Sequence, residues 1–206
     1  MKFSCILLLV LTVSLISDVV VMQPDGADGK DTYVTTAYPD DNFGDHYDLF
    51  CGYAYTDQYW AYIQFNELDE PQYQGANVLS AYLSLYVFDR DGSGNFYIGF
   101  ADDPWDEFTV TWQNRPGPAG AGFIPADYPV GYEWVNYDVT TLVQSWLDGT
   151  EPHNGFILFD EDTSTQRFFT VYSSDYPQNE LSPQLILSYE PASLEASTWG
   201  LIKHTF

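Results

Sequence analysis

From Val78 to Phe88 the chain alternates without a break. Leu79, Ala81, Leu83, Leu85 and Val87 fall on one side of the alternation, and Ser80, Tyr82, Ser84, Tyr86 and Phe88 on the other. A period of two sends successive side chains to opposite faces of an extended backbone, so this is the pattern of a strand with one buried face. Shorter stretches rich in β-branched and aromatic residues repeat it at Thr32–Thr36, Leu49–Tyr55, Trp60–Phe65, Phe96–Phe100, Phe108–Trp112, Gly155–Phe159, Phe168–Tyr172 and Leu185–Tyr189. Between them lie 12 Pro and 15 Gly, the punctuation of a protein with many short connections. The pattern predicts an all-β antiparallel sandwich. Turns are expected at Thr56–Gln58 and at Asp89–Asn95, the latter a hairpin with Phe96–Phe100 as its returning strand.

One segment breaks the period. In Asp138–Gly149 the apolar residues Val139, Leu142, Val143 and Trp146 recur at helical spacing. Asp138 is placed to cap its first turn and Gly149 to leave its last one. A single short helix is therefore expected to close an edge or end of the sheets.

The N-terminus reads as a leader. After Met1 and Lys2, the apolar run Cys5–Ile16 is too short for the roughly 20 residues a bilayer core requires, and it fits a signal peptide ending at Ser17. The domain is expected over residues 19–190, followed by a tail over residues 191–206. The charge is lopsided, with 30 Asp and Glu against 6 Lys and Arg. Removing Lys2 leaves 5 basic residues and a balance of −25. Such a surface repels phosphate backbones and anionic lipids, which excludes nucleic acid as a partner, and no insertion of the mature chain into a membrane is expected. Removing Cys5 leaves Cys51 alone, so no internal disulfide is possible, and a thiol in a strand is expected to be inert.

Several segments resemble one family: Gly29–Val34, Asn42–Gly44, Tyr62–Phe65, Ala81–Tyr86, the block Trp105–Trp112 with Asn114–Pro116, the helix Asp138–Gly149, Asn154–Phe156, Tyr172–Asp175 and Pro183–Leu185. Together they resemble the DNRLRE domain, which overlaps carbohydrate-binding module family 96, over about Val19 to Tyr189. The resemblance implies a secreted, jelly-roll-like β-sandwich that is usually non-catalytic and binds polysaccharide. A structural or adhesive role in an extracellular matrix or at a cell surface is the alternative.

The residues themselves offer little catalytic chemistry. No nucleophile elbow, zinc-binding His-Glu-x-x-His or phosphate loop occurs. Asp106 and Glu107 are the sharpest carboxylate pair for glycoside cleavage, and a structural role within the block Trp105–Trp112 is the favoured reading. Asp89 and Asp91 begin an oxygen-rich loop that resembles a calcium loop but carries Phe100 where its last ligand should stand. Asp28 and Asp31, with Asp25, form a second such segment, and structural calcium is expected at one of the two. Trp105, Trp112 and Trp146 are expected in the core. Tyr59, Trp60, Tyr132 and Trp134 fall in or beside turns, where an exposed ring can stack on the C–H face of a sugar. Trp60 and Trp134 also stand in strand-like segments, which leaves burial open for both.

Overall fold

The computed structural model describes residues 17–119 and 122–192. The expected leader and tail lie outside the described residues, apart from Ser17, Pro191 and Ala192. In chain order the strands are β1 (Asp18–Met22), β2 (Lys30–Thr35), β3 (Asp48–Ala54), β4 (Asp57–Gln64), β5 (Asn77–Asp91), β6 (Asn95–Phe100), β7 (Ile124–Asp127) and β8 (Trp134–Asp138), then helix α1 (Thr140–Leu147), β9 (Phe156–Phe159), β10 (Arg167–Tyr172) and β11 (Gln184–Glu190). All named strand pairs are antiparallel. They form an all-β, sandwich-like fold in which one sheet runs β1-β11-β5-β10-β3-β4-β9-β6-β7 and curls on itself, with β2 added to β4 and β8 to β5.

The alternating stretch seen in the sequence joins the two halves. β5 is 15 residues long. It pairs with β11 through Asn77–Ser84 and with β8 through Tyr82–Tyr86, and its end passes to β10 from Val87 to Asp91. Ala81, Leu83, Leu85 and Val87 are buried as the alternation requires. They join Leu185 and Leu187 of β11, Phe96 and Ile98 of β6, and Phe169 of β10 in one core. Leu79 departs from the alternation. The register with β11 slips between Ser188 and Tyr189, so Val78 is buried and Leu79 is 47% exposed. Such a bulge inserts one residue and reverses the side-chain sequence beyond it. Leu79→Ser is therefore expected to change stability by less than about 0.5 kcal/mol, as other exposed surface substitutions do. A chemical-denaturation midpoint measures it, and a loss of several times that size would place Leu79 in the core.

Three expectations are corrected. The Asp89–Asn95 turn is not a hairpin: β5 and β6 share no ladder, and the chain crosses from β5 to a strand that pairs with β7 and β9. Gly92 turns it there with a φ of 75°, a backbone region that disfavours a side chain. Phe108–Trp112 is a set of turns rather than a strand. Asp106 accepts bonds from the backbone N–H of Phe108, Thr109 and Val110, and the Asn114 side chain binds the backbone at Thr109 and Thr111. Such local bonds compete with a sheet ladder and here replace it. The β3–β4 turn falls at Tyr55 and Thr56, both at positive φ, and Asp57 and Gln58 already belong to β4.

The helix forms where its spacing predicts, within a shorter span. The Asp138 carboxylate accepts from the Thr140 N–H at 3.0 Å and the Thr140 hydroxyl at 2.6 Å, which holds it below the usual carboxylate range. Gly149 ends the helix at a φ of 72°. Leu142, Val143, Trp146 and Leu147 are buried, and Gln144 fastens the start of β5 through Ala76 O and Val78 N. Cys51 is buried in the main core, and burial pushes its thiol well up, as an inert thiol requires.

Candidate functional site

The outer side of β5 carries what its inner side lacks. Tyr86 and Phe88 stand at the outward positions of the alternation, half-buried. β8 brings Trp134 directly opposite Tyr86, with ring centroids 5.6 Å apart. β10 ends on Tyr172, one residue past the Val171–Val87 pair, so its ring lies parallel to Tyr86 at 6.0 Å and to Phe88 at 4.3 Å. Tyr176 stacks on Tyr172 at 3.8 Å, and Tyr47 lies 6.4 Å further on at a steep angle. The result is a continuous aromatic row, Trp134–Tyr86–Tyr172–Tyr176–Tyr47, flanked by Phe88. Tyr47 is 57% exposed, and the other rings are half-buried. Because β8, β5 and β10 hold the rings in contact before any ligand arrives, little rotamer freedom is left to lose on binding. Stacked pairs of this kind each contribute about 0.5–1.5 kcal/mol beyond the area they bury.

The sequence candidates divide across the molecule. Trp134 is part of the row, and Tyr132 is 65% exposed in the turn before it. Tyr59 belongs to a second aromatic cluster with Phe50 at 5.3 Å and Tyr33 at 6.3 Å, where Tyr33 also stacks on Phe43. Trp60, a candidate stacking ring whose burial the sequence left open, is buried. It is 7% exposed, lies beneath Trp112 and Arg115, and packs on Phe159 in a second core that includes Trp105 and Val110. Trp146 and Trp105 are buried as expected, and Trp112 is half-buried against that second core. Tyr47, Tyr86, Phe88, Tyr172 and Tyr176 were not singled out by sequence. The available signal was the run of rings at the outward positions Tyr82, Tyr86 and Phe88.

The carboxylates are occupied with structure. Glu107 accepts the Asp31 N–H at 2.8 Å, and its carbonyl accepts from Asn42, which also holds Val110 O. Burial pushes both Asp31 and Glu107 up to about 7. Asp31 is 3% exposed, accepts the Ser174 N–H at 2.9 Å, and keeps its other oxygen buried without a partner. Asp28 is exposed on the wall of an open cleft with Asn66, Glu67 and Glu70, apart from the buried Asp31 carboxylate. Asp89 accepts from the Arg90 N–H, and Asp91 from the Gly92 N–H and the Gln166 side chain. Among the described residues no three His, Cys, Asp or Glu side chains come together as metal ligands. A calcium ion at either loop would need backbone carbonyl oxygens as well.

The fold and this face define a class: a β-sandwich that presents rigid rings on the surface of a sheet rather than in a deep cleft. Residues 26–189 match carbohydrate-binding module family 96, and the chain belongs to that family. The family is one of binding modules for carbohydrate. No curated protein matches the chain. The signature segments lie at structural joints. Trp105 donates to Asn154 O at 2.8 Å, Tyr62 donates to Pro116 O at 2.7 Å, and Asn42 holds the turns that follow Glu107.

Proposed function

We propose that this chain is a secreted, non-catalytic polysaccharide-binding protein that seats its glycan across the row from Trp134 to Tyr47. The observation that carries the reading is the row itself: rings packed face to face at Tyr172 and Tyr176 and edge to face at Trp134 and Tyr47, on an exposed sheet face whose uncovered ring surfaces can pack on the C–H faces of sugars. Membership of a carbohydrate-binding family supports it. The apolar run Cys5–Ile16 supports secretion, and among the described residues no helix is long and apolar enough to cross a membrane. The roles of Asp106 and Glu107 in fastening loops support binding over cleavage. Affinity electrophoresis against a panel of neutral and charged polysaccharides tests the reading. Retardation by at least one glycan is expected, without release of reducing sugar. Free migration through every gel would contradict binding.

Structural calcium at Asp89 and Asp91, or at Asp28 and Asp31, forms a separable part of the proposal, supported by the acidity of the chain and the oxygen-rich loops, with the first pair better placed because Asp31 is buried apart from the exposed Asp28. Melting temperatures with calcium and with chelator, at equal ionic strength, decide it. A rise with calcium that magnesium does not match is the expected result, and identical values would remove the ion.

A further inference from the structure

The charge around the aromatic row selects among glycans. The described residues include four lysines and arginines, and each is tied into the protein. Lys30 donates to Gln64 at 2.8 Å and sits 4.3 Å over the Trp105 ring. Arg90 donates to Gly92 O. Arg115 lies 3.6 Å over Trp112 and 4.3 Å over Trp60. Arg167 grips the buried Asp160 through two nitrogens, at 2.6 and 3.1 Å, and reaches Asp162 at 2.9 Å. Among the described lysines and arginines Arg167 is ion-paired, while Lys30 and Arg115 are laid on Trp105, Trp60 and Trp112, rings outside the row.

The row is instead bordered by acid. At its Tyr47 end a shallow cleft is lined by Asp45, His46, Tyr47 and Asp48, and Asp48 pairs in register with Tyr172. Asp175 precedes Tyr176 and lies near enough for the Asp45 charge to act on it. At the other end Glu133 is exposed beside Trp134, and Asp89 is exposed beside Phe88. Stacking alone accepts any sugar with a flat C–H face. The carboxylates add a preference, because an ammonium on the sugar edge would meet them while the ring lies on the aromatic face.

We infer that the ligand of this row is a glycan bearing free amino groups, of the class of a partly deacetylated amino-sugar polymer. The inference rests on the reading of the row as the glycan site and adds the charge of the ligand. A single exposed ion pair contributes only about 0.2–1 kcal/mol. A polymer presents the amine repeatedly, so such contacts accumulate along the chain once one sugar is seated. The net charge of −24 also concentrates a cationic ligand near the surface and repels an anionic one.

The test uses β-1,4-linked oligomers of equal length made of glucosamine, of N-acetylglucosamine, or of a uronic acid, titrated calorimetrically at one pH in low and in high salt. The glucosamine oligomer should bind at least about 10-fold more tightly than its acetylated counterpart at low salt, with the gap closing at high salt. The uronic acid oligomer should bind weakest. Asp45→Asn with Asp48→Asn should shrink the difference between the first two oligomers. Trp134→Ala with Tyr172→Ala should abolish binding of the glucosamine oligomer. Equal or tighter binding of the acetylated or uronic oligomer overturns the inference while leaving the glycan site standing. Glucosamine binding that survives loss of the two rings also overturns it, since that is diffuse attraction to an acidic surface. Binding of no oligomer of any charge overturns the glycan-binding reading itself.

Discussion

Replacing Trp134 and Tyr172 together by alanine is expected to weaken polysaccharide binding by more than about 100-fold, close to 3 kcal/mol, with the fold retained. These two rings flank Tyr86 on either side, at 5.6 and 6.0 Å, so their removal takes away one end of the row and its central ring. Both stand on the outer face and are half-buried, and the main core beneath them, with Leu85 and Val87, is left filled. The cost should therefore fall mainly on binding. Tyr59→Ala is the matched control, because Tyr59 packs with Phe50 and Tyr33 in the other aromatic cluster. Calorimetric titration with the tightest polysaccharide of the panel measures both. Equal losses in the Tyr59 variant and the double variant would move the site to the second cluster, and unchanged affinity in the double variant would remove the row from function.

The largest effect on stability is expected from pH and centres on Asp31. Burial holds its carboxyl at about 7, against an unperturbed value of 3.8. Glu107, whose side chain accepts the Asp31 N–H, is raised to about 7 for the same reason. Between these limits the folded protein binds more protons than the unfolded chain, so stability falls as pH rises. The contribution is fully present below about pH 4 and lost as pH passes through about 7. Each tenfold change in proton affinity is worth roughly 1.4 kcal/mol, which makes Asp31 worth up to about 4 kcal/mol across this range. A domain of this size gains about 2–4 °C in Tm per kcal/mol, so acidification from pH 8 to pH 5 should raise Tm by up to about 10 °C at constant ionic strength. The proton has a place to sit, since one Asp31 oxygen is buried without a partner while the other accepts the Ser174 N–H. Asp31→Asn keeps an oxygen for Ser174 and cannot ionise, so it should remove the Asp31 share of the slope and leave the smaller share of Glu107. A variant with the full slope, or a protein that stabilises as pH rises, would contradict this assignment.

The sequence was most legible where physics acts locally. Alternation located β2, β3, β4, β5, β6, β9, β10 and β11, and apolar spacing located α1, whose N-cap falls on Val139, one residue past the expected Asp138. It failed for Phe108–Trp112, where Asp106 and Asn114 bind their own neighbourhood, and for Leu79, where a bulge exposes a leucine that strict alternation would bury. β1 escaped notice because Val19 and Val21 lie exposed on an edge strand, so its pattern has no polar alternate face. The link from β5 to β6 read as a hairpin because a Gly-rich turn looks the same whether the next strand returns alongside or crosses to the opposite half.

The candidate site was legible only in part. Trp134 was found, but Trp60 was equally eligible by position and lies in a core under the turns that carry Trp112 and Arg115. Nothing local separates these two tryptophans; the loop that covers one of them is more than forty residues away in sequence, from Ala101 to Pro118. The row itself is assembled from β8, β5, β10 and two loops, so no single segment announces it. The family signature falls on joints such as Trp105 to Asn154 and Tyr62 to Pro116, which explains why it identifies the fold more sharply than the ligand.

The most direct measurement follows the tryptophan indole N–H signals by NMR as glycan is added. Trp134 is the half-exposed indole of the row, whereas Trp60, Trp105 and Trp146 are buried and Trp112 is stacked under Arg115. A progressive, saturable shift of the Trp134 signal, with those of Trp60, Trp105, Trp112 and Trp146 nearly unmoved, is the result expected for a glycan on this face. Saturable binding that leaves Trp134 unmoved would contradict it.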